Sequence, residues 1–386
     1  MVKLGDICKI QSGGTPSKNR ADFFGGNIPW ITTIALNKEV ITADDAVEWI
    51  TDKAIVENSA KIVPPNSIMV GTRVGIGKVA INAIPMATSQ DIVSLININT
   101  DYWDKGFLCK FILSKKEFLM SKARGATIKG IQIETLSSLE VPDLELSTQR
   151  RIASILDKVT DLIAKRRAQL EKLDLLVKSR FVEMFGDPVE NPFGYSVEKL
   201  EKYITFLTSG SRGWSQYFSD EGKYFITIKN VKHCNITLDN VQHINPPNNM
   251  EAIRTKVEEG DLLISITADL GRTGVVTKKI AEYGAYINQH LTCIRLDKQR
   301  LNPVYTAYFL ESPAGKVQFD SKNQNGVKAG LNFNGINSLL LVVPPIESQL
   351  NFVKYVESVD ELKSTIQQSL ETLETLKKAL MQEYFG

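Results

Sequence analysis

The sequence predicts an α/β protein made of two related globular halves, each followed by one long helix. Two segments, 145–186 and 347–386, carry apolar residues mostly three or four positions apart, which is the spacing of a single helix face. The second segment has a mean apolar step of about 3.5 residues, which is typical of a coiled coil. The two segments share anchors at a constant separation, which indicates a tandem duplication: Gln149 and Gln349, Phe185 and Phe385, and Gly186 and Gly386.

Each long helix needs a partner for its apolar stripe. A helix of about 38 residues is about 57 Å long at 1.5 Å per residue, and water disfavours a bare stripe of that length. The first helix leaves the N-terminal half and the second leaves the C-terminal half, so the sequence predicts an antiparallel coiled coil. Val159, Leu162 and Leu176 are among the predicted seam positions of the first helix. The predicted domains are residues 1–144, 145–187, 188–345 and 346–386, with the helices second and fourth.

Length and composition indicate a globular protein of more than one domain. The chain of 386 residues is too long to form a single ordinary hydrophobic core. A net charge of +2 neither requires nor excludes nucleic acid, so only local patches decide. Cys8, Cys109, Cys234 and Cys293 lack Cys-x-x-Cys spacing and are expected to be reduced, buried thiols. Because no apolar leader and no membrane-length apolar run is present, we expect a cytoplasmic protein with no membrane partner.

Strands and turns alternate through the first half. Predicted in chain order are strands at 4–10, 28–34, 67–70, 77–81 and 92–98, and a helix at 104–121. The second half repeats this plan between 200 and 344, and it opens with a strand at 200–207. Between the matched positions the two halves differ almost everywhere. This pattern predicts that each half holds a different ligand in a similar frame.

Motifs that suggest catalysis fail on their spacing or on a required residue. The Asn-Pro-Pro segment 245–247 is similar to the element that holds a flipped adenine, but Asn248 offers no aromatic face, so a turn is predicted. The segment 71–78 is similar to a phosphate loop, but its glycines are one residue too far apart and Val79 replaces the Ser or Thr, which favours a glycine hairpin. The three histidines lack ligand spacing, so no metal, cofactor or catalytic residue is predicted.

Four segments carry a resemblance to a known family: Ser12-Gly13-Gly14-Thr15-Pro16, Ile28-Pro29-Trp30, 125–142 with its Val-Pro ending, and Gln149-Arg150-Arg151-Ile152. With its order of domain, helix, domain and helix, the chain resembles the specificity subunits of type I restriction-modification systems over essentially its full length. The second half departs from the pattern, because Ser209-Gly210-Ser211-Arg212 stands where the first half has its Gly-Gly-Thr-Pro turn.

The resemblance implies two repeated α/β DNA target-recognition domains joined by two long helices that form an antiparallel coiled coil. It implies a non-catalytic subunit in which each domain reads one part of a split target in double-stranded DNA. The helices would set the spacing and hold two methyltransferase subunits, and restriction subunits would join through the complex. Two alternatives stay open: a DNA methyltransferase with an unrecognised active site, and a coiled-coil scaffold that binds only proteins.

DNA binding requires cations at phosphates and hydrogen-bonding groups at base edges. The segment 105–129 carries seven basic residues against one acid, and its glycine-bounded end holds Arg124 and Lys129. Short glycine-rich turns elsewhere expose side chains that match base edges. The predicted DNA-binding residues are Ser12, Lys18, Asn19, Arg20, Arg73, Lys78, Arg124, Lys129, Ser211, Arg212, Gln216, Lys229, Arg272, Asn323, Gln324 and Lys328. Trp30 and Trp214 are either further contacts or core residues beside strands.

Overall fold

A computed structural model describes residues 1–125, 129–322 and 330–386, and it contains both predicted long helices. The central helix spans Leu146–Phe185 and the C-terminal helix spans Ile346–Phe385. The chain divides into two compact units, which we call unit 1 (residues 1–167 with 368–386) and unit 2 (residues 168–367). Each long helix therefore begins in one unit and ends in the other.

Unit 1 contains two larger sheets and one short strand pair. The first sheet has the strand order Lys9–Ser12, Ile92–Ile96, Ile68–Gly71, Val79–Asn82 and Val40–Ile41, in which only the last pair is parallel. The second has the order Glu48–Ile50, Phe24–Ile31, Met86–Thr88 and Ile62–Val63, and its middle pair is parallel. Val2–Lys3 pairs with Glu140–Val141. The α-helices of this half are Leu4–Ile7, Asp52–Val56, Lys105–Ser114, Lys116–Ser121 and Ile133–Ser137.

The first sheet of unit 2 repeats the order of the first four strands of its unit-1 counterpart, whereas the second sheet differs at both ends. The first sheet runs Ile204–Ser209, Leu291–Leu296, Leu262–Ser265 and Thr273–Val275, all antiparallel. The second runs Phe218–Ser219, Gln242–Ile244, Lys223–Ile226 and Ala285–Ile287, with the last pair parallel. Short pairs join Ser196–Lys199 to Leu340–Val343 and Val231–Lys232 to Asn235–Ile236. The α-helices are Met250–Thr255, Lys278–Tyr283, Pro303–Glu311, Pro313–Lys322 and Phe333–Asn337. The predicted fold of two repeated α/β halves is confirmed.

The predicted opening strands of both halves are wrong over their first four residues. Leu4–Ile7 is one helical turn and Leu200–Tyr203 is a 3-10 turn, and the strands start only at Lys9 and Ile204. The cause is packing, because the first and last residue of each turn are buried together, which requires the helical spacing of three. The predicted helix at 104–121 is likewise two helices that meet at Lys115.

Inside each unit the two long helices lie antiparallel. In unit 2 the ring of Phe181 packs edge-on against Phe352, with 5.3 Å between the ring centroids, and Asp174 forms an ion pair with Lys363 at 2.6 Å. The earlier residue of the central helix thus contacts the later residue of the C-terminal helix, so the two helices run in opposite directions. In unit 1 Arg167 pairs with Glu374 at 2.6 Å. Apolar burial supplies most of the stability here, since exposed ion pairs contribute about 0–1 kcal/mol. The predicted antiparallel pairing is therefore present in each unit.

A buried glutamine fixes the start of each long helix. Gln149 accepts a hydrogen bond from the Asp104 backbone N–H at 2.9 Å and donates to the carbonyls of Tyr102 and Leu144 at 2.9 and 2.8 Å. At the matching position Gln349 accepts from the backbone N–H of Asn302 at 2.8 Å and donates to the carbonyl of Pro344 at 2.9 Å. Both amides are fully buried. The shared glutamines of the two segments thus tie each helix to the globular half that precedes it.

Candidate nucleic-acid interface

The glycine turn of each half lies against a connection between two strands. This connection joins Met86–Thr88 to Ile92–Ile96 in unit 1 and Ala285–Ile287 to Leu291–Leu296 in unit 2. In unit 1 the backbone N–H groups of Gly13 and Gly14 donate to the carbonyls of Ile92 and Thr88 at 3.0 and 2.9 Å. A Cβ on Gly13 would lie 2.2 Å from the Ser89 carbonyl oxygen. Such an approach excludes any larger residue, so the turn requires glycine because of space.

Unit 2 keeps this geometry although its turn sequence differs. The N–H groups of Gly210 and Ser211 donate to Leu291 and Ile287 at 3.0 and 2.9 Å, and a Cβ on Gly210 would lie 2.0 Å from the carbonyl of Asn288. Ser211 takes the place of the second glycine and is buried. The departure from the first half's sequence therefore leaves the turn's backbone intact.

A glycine hairpin forms the second part of each surface. In unit 1 the Gly71 N–H donates to the Lys78 carbonyl at 2.9 Å, and Gly77 before it has a φ of +75°. In unit 2 the Ser265 N–H donates to the Arg272 carbonyl at 2.9 Å, and Gly271 has a φ of +78°. Lys78 and Arg272 therefore occupy matching places, each after a glycine in the left-handed region. The hairpin predicted in preference to a phosphate loop is present.

The basic segment forms the third part and is held to the hairpin. Arg124 and Gly130 exchange two backbone hydrogen bonds of 2.9 Å, and the Ile131 N–H donates to the Thr72 carbonyl at 2.8 Å. In unit 2 the Leu331 N–H donates to Ile266 at 2.9 Å in the same way. Ile131 in unit 1 and Leu331 in unit 2 thus lie beside the hairpin of their unit, and residues 126–128 and 323–329 lie outside the described part of the chain.

The predicted DNA-binding residues of unit 1 fall into accessible and engaged groups. Accessible at the surface are Lys18, Asn19, Arg73, Arg124 and Lys129, whereas Ser12 is half-buried at a strand end. Arg20 is exposed but forms ion pairs with Asp22 at 2.8 Å and Glu57 at 3.0 Å, and these hydrogen bonds raise the pKa of its guanidinium. Lys78 is half-buried and donates to the Asn37 side chain at 2.6 Å. Arg73 and Arg124 are accordingly the unit-1 arginines that the three-part surface brings together.

In unit 2 the predicted residues are also unequal. Arg212, Gln216 and Lys229 are exposed, whereas Ser211 is buried and its hydroxyl contacts that of Thr255 at 3.0 Å. Arg272 is half-buried and donates to Asp269. Asn323, Gln324 and Lys328 lie outside the described residues. Ser211 therefore acts in the turn itself, and Arg212, Gln216 and Lys229 are the exposed side chains among these candidates.

Two polar rows cross these surfaces, and apart from Arg73 and Arg212 their members were not predicted from the sequence. The unit-1 row contains Thr15, Gln90, Asp91 and Arg73: the Gln90 N–H donates to Thr15 Oγ1 at 3.4 Å, and Arg73 lies 3.9 Å from Asp91. Part of the signal is visible in the sequence, because Ser89-Gln90 in the first half and Asn288-Gln289 in the second share a polar residue followed by glutamine.

The unit-2 row contains Arg212, Gln289, His290 and Thr267. Arg212 Nε donates to Gln289 Oε1 at 2.5 Å, Gln289 Nε2 lies 3.3 Å from His290 Nε2, and His290 Nδ1 lies 2.7 Å from Thr267 Oγ1. The backbone carbonyls of Asp91 and His290 accept equivalent hydrogen bonds, one from the Thr72 N–H at 2.8 Å and one from the Ile266 N–H at 3.0 Å. The two rows therefore stand at equivalent places on the repeated frame.

The two candidate tryptophans, Trp30 and Trp214, belong to the core. Trp30 and Trp214 are 7% and 3% exposed. Their indole N–H groups donate to the Gly14 carbonyl at 3.1 Å and to Glu251 at 3.0 Å. A buried indole with its only donor satisfied has nothing left to offer a base.

Within the described residues no group of three or more His, Cys, Asp or Glu side chains is placed to hold a metal ion. The Asn-Pro-Pro segment 245–247 is a loop between Gln242–Ile244 and Met250–Thr255, as predicted. All four cysteines are buried and free, and burial raises the pKa of Cys8 and Cys109 to about 12. Across the described chain, no helix has the length and apolar character needed to cross a bilayer.

A duplicated α/β frame with different polar loops on each copy is the architecture of a modular recognition protein. A family model, the type I restriction modification DNA specificity domain, matches residues 1–172 and 204–375. The chain belongs to this family, which confirms the resemblance found in the sequence.

Individual relatives agree with the family assignment. The chain is 30% identical over 250 residues to the type I restriction enzyme MjaIX specificity subunit of Methanocaldococcus jannaschii, a match that covers 59% of this chain and 57% of that protein. It is 25% identical over 399 residues to the putative MjaX specificity subunit of the same organism, covering 98% and 91%. A solved chain from a study of type I R-M complex assembly shares the fold, with a TM-score of 0.63, 18% identity and coverage of 100% and 96%.

Proposed function

We propose that this chain is the non-catalytic DNA sequence-specificity subunit of a type I restriction-modification enzyme. Each globular half reads one part of a bipartite target in double-stranded DNA. The single observation that carries this proposal is the repeated frame that presents the Arg73–Asp91 pair in unit 1 and the Arg212–Gln289–His290 chain in unit 2. Equivalent backbone positions with different hydrogen-bonding groups are what two readers of different base sequences require.

The same proposal assigns the partners. The long helices set the distance between the half-targets and dock two methyltransferase subunits, and restriction subunits join through the complex in the cytoplasm. The chain needs no cofactor of its own in this assignment. The sequence boundaries at 144/145, 187/188 and 345/346 separate readers from helices in this proposal. Support comes from the two helices, which each begin beside one reader and end beside the other.

Purified alone, the chain is expected to transfer no methyl group and to cut no DNA. The reason is that Asn248 and Val79 stand where a methyltransferase motif and a phosphate loop would each need another residue. The measurement is transfer of a labelled methyl group from S-adenosylmethionine to genomic DNA, with the chain alone, the modification subunits alone, and both together. Only the combination should methylate a bipartite site. Methyl transfer by the chain alone would support the methyltransferase alternative. If no combination methylated DNA, the result would support the protein-binding scaffold.

Arg73→Ala and Arg124→Ala are each expected to weaken recognition of one half-target. An arginine that holds a guanine edge contributes about 1–3 kcal/mol, and both side chains are exposed beside the unit-1 hairpin. The measurement is binding of the assembled methyltransferase to duplexes in which each half-target is varied separately. Lys61→Ala, an exposed cation in the same half, is the control. A loss confined to the half-target read by unit 2 would contradict the two-reader assignment.

A further inference from the structure

We infer that the unit-1 row and the unit-2 row are the base-reading elements of the two halves. In this inference Asp91 with Arg73 reads a G·C pair in one half-target, and Gln289 reads an adenine in the other. The inference rests on the proposed function and assigns base contacts to Asp91 and Gln289, which were not predicted from the sequence. Its basis is that both rows are held by equivalent backbone hydrogen bonds but carry different hydrogen-bonding side chains.

In the unit-1 row the guanidinium of Arg73, a hydrogen-bond donor, lies beside the carboxylate of Asp91, an acceptor. Arg73 Nη1 lies 3.9 Å from Asp91 Oδ1, and the two side chains are 48% and 27% exposed. This separation is a loose ion pair, so the guanidinium has donors left and the second carboxylate oxygen of Asp91 is available. In the major groove guanine presents O6 and N7 as acceptors and cytosine presents its N4 amino group as a donor. Arginine beside aspartate is the complement of that base pair.

The unit-2 row holds an amide in one orientation. Arg212 donates to Gln289 Oε1, and on the other side Gln289 Nε2 faces His290 Nε2 at 3.3 Å. An amide has two donor hydrogens and two acceptor sites, and these contacts use one of each. One N–H and one lone pair therefore remain, which is the pair of groups that contacts adenine N6 and N7 in a bidentate manner.

The histidine completes this orientation. If Gln289 donates to His290 Nε2, that nitrogen is an acceptor, and Nδ1 carries the proton that is donated to Thr267 Oγ1 at 2.7 Å. The hydrogen-bond direction then runs from Arg212 through Gln289 and His290 to Thr267. Reversal of the Gln289 amide would place its oxygen against the imidazole acceptor and its N–H groups against the guanidinium, so one orientation is favoured. His290 is accordingly a positioning residue for Gln289.

The test uses the chain assembled with its modification subunits. The bipartite target is first obtained by mapping methylated sites in DNA treated with the wild-type complex, and each base pair is then varied in short duplexes. Asp91→Asn keeps the side-chain shape and the backbone bond to Thr72 but removes the charge. We expect it to lose about tenfold or more of the preference for one G·C pair in one half-target and to leave the other half-target unchanged.

Gln289→Ala should remove the preference for one adenine in the other half-target by a similar factor. His290→Phe should reduce the same preference at the same position, because the amide loses its partner. Asp101→Asn and Gln299→Ala, at exposed positions outside the rows, are the matched controls. Thermal melting checks that each variant folds; if Asp91→Asn does not fold, Arg73→Gln tests the same pair.

The outcomes distinguish failure of the two rows from failure of the proposed function. A wild-type complex without any bipartite target would overturn the proposed function itself. A bipartite wild-type target whose base preferences are unchanged in Asp91→Asn and Gln289→Ala would overturn the rows while the proposed function stands. Changes from both variants in the same half-target would also overturn the inference, since the rows belong to different units.

Discussion

Gln349→Leu is expected to destabilise unit 2 by about 2–5 kcal/mol. The side chain is fully buried, and its loss leaves the Asn302 N–H and the Pro344 carbonyl without their partners, which lie at 2.8 and 2.9 Å. Each buried polar group that loses its hydrogen bond costs about 1–3 kcal/mol. Leucine restores only part of this through its apolar burial. The effect is large because one amide joins the helix start both to the chain just before it and to Asn302, 47 positions away.

Hydrogen exchange followed by mass spectrometry measures this loss unit by unit. Amides of unit 2 should exchange faster in Gln349→Leu, and those of unit 1 in Gln149→Leu, because Gln149 makes the equivalent buried hydrogen bonds there. Gln368→Leu places the same substitution at an exposed position of the C-terminal helix and should change stability by less than about 0.5 kcal/mol. Equal exchange in Gln349→Leu and Gln368→Leu would show that the buried amide contributes nothing.

Much of the fold could be predicted because its signals are local. The long helices follow from apolar spacing, and their duplication is visible in Gln149 and Gln349. Glycines at 77 and 271 mark hairpins because they adopt a positive φ that other residues disfavour. These features depend on neighbouring residues, so a single sequence contains them.

Features that depend on distant contacts could not be predicted in this way. The predicted seam position Leu162 is 43% exposed, whereas its neighbour Ile163 is 8% exposed. Adjacent apolar residues leave the helix face ambiguous by about 100°, and only the partner helix decides between them. Arg20 was selected as a DNA contact on its loop, yet Glu57, 37 positions away, forms an ion pair with it. The unit-2 row likewise joins residues from three separate turns.

Lengthening both long helices by one seven-residue repeat is expected to change the spacing of the DNA target. Insertions after Leu170 and after Leu370 lie, on each helix, between the Arg167–Glu374 and Asp174–Lys363 ion pairs. Seven residues preserve the 3.5-residue seam and add about 10.5 Å at 1.5 Å per residue. This length equals about three base pairs at about 3.4 Å each. The half-targets would also rotate by roughly 100° about the duplex, since one turn takes about 10 base pairs.

We therefore expect a target whose central gap is longer by a few base pairs and is bound less tightly, or the loss of any specific target. Methylation mapping of the assembled complex measures the gap directly. The control is an insertion in the central helix alone, which shifts one side of the pair by a heptad and should destabilise the helices. If the double insertion left the gap unchanged at full affinity, the helices would not set the distance between the two readers. The repeated anchors at Gln149 and Gln349 would then serve only to attach each helix to its globular half.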